Sequence, residues 1–265
     1  MRVSLPMYNL PAMQPANAAF WGAIRAELAL LGLQAPALPD FARPPVPAAI
    51  EADTLFTQVC GWPLQTIFRG QGRLLGVPSY ALPHCGPGTH AGVFVVRDDS
   101  RFRALEDLRG CHFVFNSVDS NSGMNLPRRT LAPLAGGKPF FGRCDETGSQ
   151  PKNLDRVAAG EADATCVDCV TFAFNIEHKP HLAGLRVLAE TVPSPAIPFV
   201  TSVATPEPMF QALRAALLRV GAAAEHAAVR AGLHLAAISG PEGTDYMVQM
   251  RYEAEAGEMG YRLLQ

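Results

Sequence analysis

The chain has 265 residues, enough for one large α/β domain or for two smaller lobes, each with its own core. Hydrophobic residues make up 48% and charged residues 17%, the net charge is −2, and Lys138, Lys152 and Lys179 are the only lysines. That balance lays down no basic footprint for nucleic acid, and no run of ~18 apolar residues is present to insert into a membrane.

The opening MRVSLPMYNLP has one Arg and no apolar core of signal-peptide length, and Pro6 and Pro11 interrupt it. As the chain stands this reads as cytoplasmic, and as periplasmic if a leader has been omitted. Six irregularly placed cysteines (Cys60, Cys85, Cys111, Cys144, Cys166, Cys169) read as reduced, mostly buried thiols.

Val3 and Leu5 form a first strand leading to Tyr8, where the strand's C-terminal end opens and ligand contacts are usual in an open α/β sheet. Phe20, Ile24, Leu28 and Leu31 recur at helical spacing, and Gly32 ends that helix. Five prolines between Pro36 and Pro47 predict a surface connection. Thr54–Val59 is a second strand, with Thr57 and Gln58 as polar groups at its end, and Pro63 opens a helix. Arg73–Val77 is a third strand leading to Tyr80. The glycine-rich segment His84–Gly92 fits no phosphate-loop pattern and reads as a structural turn.

Val93–Arg97 is a β-branched strand, and Phe113–Phe115 is another. The segment after it, Asn116–Ser122, is polar or turn-forming apart from Val118, and Gly123 follows before helical spacing resumes at Met124, Leu126 and Leu131. A strand that stops in hydroxyls and amides and turns straight into a helix is a ready anion site. The helix start carries unpaired N–H groups with partial positive charge, and Ser120, Asn121 and Ser122 add donors beside them. The plainer alternative is that Ser122 simply caps the helix.

Pro151 to Gly160 is a further helix, followed by the small-residue strand Ala162–Val167, Asp168 at its end, and a helix over Cys169–Asn175. Leu185–Ala189 and Phe199–Ala204 are strands. Thr205-Pro206-Glu207 opens a long Ala/Leu helix to about Ala231, and Tyr246–Gly257 is helical. Alternating strands and helices predict a mainly parallel sheet covered on both faces.

The segments VFVVR, EDLRGCHFVFNSVDSNSGMNLPRR, AAGEADATCVDCVTF, LRVLAETVPSPAIP and FVTS, in that order, resemble the phosphate/phosphite/phosphonate-binding solute receptors of ABC transporters. The resemblance implies a two-lobed type II periplasmic-binding-protein fold, with a hinge of two crossover strands near Gly92–Val96 and Phe199–Val203. Residues 1–92 and 202–265 would form lobe one and 93–201 lobe two. It implies a small oxyanion held between the lobes on Ser120, Asn121 and Ser122, and an ABC permease as partner. Asp168 stands where such receptors place an acidic residue, and a carboxylate there can accept the O–H of a phosphonate or phosphate monoanion while repelling sulfate. Asp168 as helix cap is the structural alternative. Tyr8, Gln58 and Tyr80 would add contacts from lobe one. Many relatives carry His where this chain has Gln150, so a neutral amide replaces a possible cation.

Cys166-x-x-Cys169 is better read as two buried thiols flanking Asp168 than as a redox or zinc site. His84, Cys85 and His90 are too isolated to form a site. No nucleophile elbow is present, and paired carboxylates are scarce, so the reading is a binder without cofactor or metal. An enzyme or a cytosolic sensor on the same fold is the alternative.

Overall fold

The computed structural model describes residues 1–44 and 50–265, so 45–49 of the proline-rich connection lie outside the described residues. In chain order the principal strands are β1 (Arg2–Val3), β2 (Thr54–Gln58), β3 (Gly72–Tyr80), β4 (Gly92–Arg97), β5 (His112–Phe115), β6 (Arg143–Glu146), β7 (Ala164–Asp168), β8 (Leu185–Glu190), β9 (Phe199–Ser202) and β10 (Leu235–Ser239). The helices are α1 (Gln14–Leu30), α2 (Gly61–Gln65), α3 (Leu126–Ala135), α4 (Gln150–Ala158), α5 (Cys169–His178), α6 (Glu207–Ala222), α7 (Ala227–Ala231) and α8 (Val248–Glu258). Among the described residues no helix is long and apolar enough to cross a membrane.

The chain divides into two compact units: residues 1–89 with 195–245, and residues 90–194 with 246–265. The expected division put the whole of 202–265 in the first lobe. The tail instead belongs to unit two, because α8 packs on α3 and because Ala256, Tyr261 and Leu264 are buried in that unit's core. The two strands expected to form the hinge each lie inside one unit's sheet, β4 in unit two and β9 in unit one.

Unit one is built on a sheet of order β1-β2-β9-β3-β10. Every residue of β2 is buried, as a central strand of apolar and small polar residues must be. Phe20 and Trp21 of α1 meet Phe56 of β2 and Phe199 of β9, with the last two rings stacked at 5.3 Å. Those aromatic surfaces supply the unit's largest apolar burial.

Unit two has the sheet order β8-β4-β7-β5-β6. Phe94, Phe113, Phe140 and Phe141 fill its core, with Phe113 stacked on Phe141 at 4.3 Å. Neither sheet is mainly parallel. In unit one β9 runs antiparallel to both β2 and β3, and in unit two β4 runs antiparallel to β7 and β8. Only β1–β2, β7–β5 and β5–β6 are parallel pairs among these.

One further expectation changes, and one strand appears where the sequence showed none. The long helix from Thr205 stops at Ala222, passes through a 3-10 turn at Ala224–His226 and restarts as α7. Strand β6 has the charged sequence RCDE and is partly exposed at the sheet's edge, so it carries no apolar alternation.

Helix α3 ends at Gly136 with φ of 60°, and nothing lies within 4 Å of the position a Cβ would take. Left-handed backbone at a helix end favours glycine, so Gly136→Ala is expected to cost about 1 kcal/mol through strain alone. Urea unfolding should show a lowered midpoint with an unchanged slope.

Candidate functional site

The turn after β5 is built from its own polar residues. Ser120 has extended backbone, and its Oγ accepts the N–H of Gly123 at 2.9 Å, so Ser120 rather than Ser122 is the cap. Residues Asn121–Asn125 then form a wide π-helical turn, in which the Asn125 N–H reaches the Ser120 carbonyl at 3.0 Å. Such turns often mark functional positions, because the wider coil displaces side chains from ordinary helical register. The N–H groups of Asn121 and Ser122 are the first of the helical run and have no acceptor within it. A Cβ on Gly123 would lie 1.9 Å from the Asn116 Oδ1, so any larger residue there would displace the Asn116 side chain.

The three side chains differ in what they are committed to. Asn121 is structural: its Nδ2 donates to the Ser194 Oγ at 3.1 Å, and its Oδ1 accepts from the Asn125 Nδ2 at 3.2 Å. Asn125 also donates to the Gln249 carbonyl of α8, and Gln249 Nε2 donates to the same Ser194 Oγ at 2.7 Å. Ser120 and Ser122 each accept one hydrogen bond, which leaves the hydroxyl hydrogens as donors. All three residues are buried, with 1–3% of their surface exposed.

Gln150, the first residue of α4, ties the turn to the end of β7. Its Nε2 donates to the Ser122 Oγ at 2.8 Å, and its Oε1 accepts the Asp168 N–H at 2.9 Å. Asp168 caps α5, with Oδ1 accepting the Thr171 N–H at 2.9 Å. Its Oδ2 bonds the His90 Nδ1. The capping alternative for Asp168 is thus realised, and the other oxygen belongs to a histidine that sequence reasoning had set aside.

His90 and Asp168 are both about 2% exposed. Burial pulls the imidazole's pKa down, while the Asp168 charge and hydrogen bond push it up, and the balance lies above the ordinary histidine value. Ser122, Gln150, Asp168 and His90 therefore form one continuous polar chain within unit two, buried at every member but the half-buried Gln150. A sequence signal for His90 exists only in hindsight: it lies two residues before Gly92, whose register partner across β4–β7 is Asp168.

In unit one, Tyr8 and Tyr80 meet edge to face with ring centroids 5.6 Å apart, and both are buried. Gln58 ends β2 opposite Phe199, and its buried Nε2 has no hydrogen-bond partner among the described residues.

The cysteines are thiols with no metal-binding grouping of His, Cys, Asp and Glu among the described residues. Burial pushes Cys111 and Cys144 up to about 12, and burial followed by the Asp168 charge holds Cys166 well above its usual range. Protonated, enclosed thiols are poor nucleophiles and poor ligands.

A family profile described as "ABC transporter, phosphonate, periplasmic substrate-binding protein" matches residues 73–246. Comparison with curated protein sequences returns no match. Among solved structures, the chain is similar to a binding protein component of an ABC phosphonate transporter from Pseudomonas aeruginosa, at 16% identity and a TM-score of 0.72, covering 97% of this chain and 87% of that one. It is similar to PhnD1 from Prochlorococcus marinus in complex with methylphosphonate, at 14% identity and TM-score 0.70, covering 97% and 98%. It is also similar to XAC2383 from Xanthomonas citri bound to ATP, at 15% identity and TM-score 0.65, covering 98% and 97%. These structural likenesses carry the fold, and the profile carries the family expected from the sequence. The chain belongs to the periplasmic substrate-binding proteins of phosphonate ABC transporters, a family of solute binders rather than enzymes.

Proposed function

We propose that this chain binds a small tetrahedral oxyanion of the phosphonate, phosphite or phosphate type at the Ser120–Gly123 turn and delivers it to an ABC permease. The observation that carries the reading is the pair of hydroxyls, Ser120 and Ser122, at a helix start whose first N–H groups have no helical acceptor. Donors already oriented by the fold replace the anion's water shell without further ordering. Gln150 steadies Ser122, Asn121 holds the turn's shape, and Asp168 sets the polar chain behind it. Tyr8, Tyr80 and Gln58 are proposed as further ligand contacts. A periplasmic location goes with a transport role, and a cytoplasmic one with a carrier or sensor of the same ligand.

A thermal-shift and calorimetry screen over methylphosphonate, phosphite, phosphate, sulfate, glutamate and ATP tests the reading. Methylphosphonate, phosphite or phosphate should raise the melting temperature and bind one per chain. Saturable binding by sulfate, glutamate or ATP alone would overturn the assignment.

A further inference from the structure

The polar chain behind the turn ends in a group the proposed function has not used. His90 is 2% exposed, and its Nδ1 is bonded to the Asp168 Oδ2, which fixes the ring. Its Nε2, on the opposite edge of the ring, is buried and has no hydrogen-bond partner among the described residues. Buried polar nitrogens almost always have partners, so an unpartnered one on a locked ring calls for an explanation.

Two residues further along, Gly92 begins β4 and lies close to the turn: a Cβ built on it would come 2.9 Å from the Thr191 Cγ2, 3.0 Å from the Cys166 Sγ and 3.2 Å from the Ser122 carbonyl oxygen. The bonds from His90 through Asp168 and Gln150 to Ser122 run to the same place.

We propose that His90 is a ligand-binding, specificity-determining residue of the anion site, donating its Nε2–H to an oxygen of the bound phosphonate or phosphate while Asp168 holds the ring through Nδ1. The inference rests on the proposed reading of the Ser120–Gly123 turn. It changes what Asp168 does: the carboxylate orients and charges the histidine, and the histidine meets the ligand. The titratable groups facing the ring are Asp168 and Cys169, and the carboxylate favours the protonated ring over its neutral form. An imidazolium donor is a charge-assisted one, which makes it strong and dependent on pH.

Calorimetry with methylphosphonate and with inorganic phosphate, on wild type, His90→Gln and His90→Phe between pH 5.5 and 9, tests this. Taking the ratio of wild-type to variant affinity at each pH cancels the ligand's own ionisation. Losing one charge-assisted bond should weaken binding about 10- to 100-fold at the acid end. The ratio should shrink as pH rises and the ring loses its proton. Nitrogen NMR of the wild-type ring supplies a readout that does not depend on a variant folding: the Nε2 resonance should move on saturation with methylphosphonate. Equal affinities for wild type and variants at every pH, or an unmoved Nε2 signal in a saturated sample, would overturn the role of His90 and leave the turn's assignment standing. A wild type that binds neither probe would instead sink the reading on which the inference rests.

Discussion

Replacing both Ser120 and Ser122 by alanine is expected to reduce phosphonate affinity about 100- to 10,000-fold, because each hydroxyl lost to an anion is worth about 1.5–3 kcal/mol. The protein should remain folded. Ser120 caps the helical run through Gly123, and an N-cap serine contributes about 1 kcal/mol. Ser122 accepts from Gln150, whose amide would lose one partner of two. The summed cost lies well inside the stability of an ordinary domain, about 5–15 kcal/mol. Calorimetry and far-ultraviolet circular dichroism on the same sample separate the effects. Unchanged affinity in a folded double variant would remove the turn from the site. The single variants should differ in a useful way: Ser120→Ala should lower the melting temperature more, since it alone carries the cap.

Asp168→Ala is expected to be strongly destabilising to unit two. It removes the cap on α5 and strands the buried His90 without its counter-charge. Breaking one side of a buried pair costs about 3–5 kcal/mol, because the remaining group keeps its desolvation penalty. Asp168→Asn should be milder, since an amide oxygen still accepts from Thr171. The variants should also differ with pH. The His90 pKa is raised on folding, so the pair's contribution is fully present below the unfolded histidine value and is lost as pH rises through the folded one. Urea unfolding of wild type should therefore weaken over that upward interval, and His90→Gln should flatten the dependence. A wild-type profile with the same slope as His90→Gln would show that the pair is not ionised in the folded protein.

Much of this architecture could be read from local pattern. The strand, polar turn and helix around Phe113–Arg129 are a continuous local feature, with β5 carrying two phenylalanines and a valine, and β4 and β7 carry dense β-branched or small apolar residues. Strand direction was not legible, because alternation of strands with helices does not encode which strand pairs with which. The antiparallel pairs β9–β2 and β4–β7 join residues far apart in the chain. Strand β6 was missed because RCDE at a sheet edge looks like a solvated loop. Nothing in the alanine-rich run announces the break at Ala222–Ala224.

The candidate site divides along the same line. Ser120, Ser122 and Asp168 stood at element ends and could be found there, while Gln150 was singled out only through the family resemblance. His90 sits in a glycine-rich stretch with no periodicity, and its partner is 78 residues away in the chain. Asn121 was recognised as a donor, but its commitment to Ser194 and Asn125 depends on a helix that the chain reaches much later.

That dependence has a consequence for biosynthesis. Unit two is made of residues 90–194 and 246–265, with a whole stretch of the other unit translated in between. Gln249, which clamps Ser194 and Asn125 beneath the turn, leaves the ribosome only after residues 195–245 have emerged. A nascent chain halted at residue 245 would carry Ser120 and Ser122 without the Gln249 contacts to Ser194 and Asn125, so the packing beneath their turn is completed only once α8 has been made.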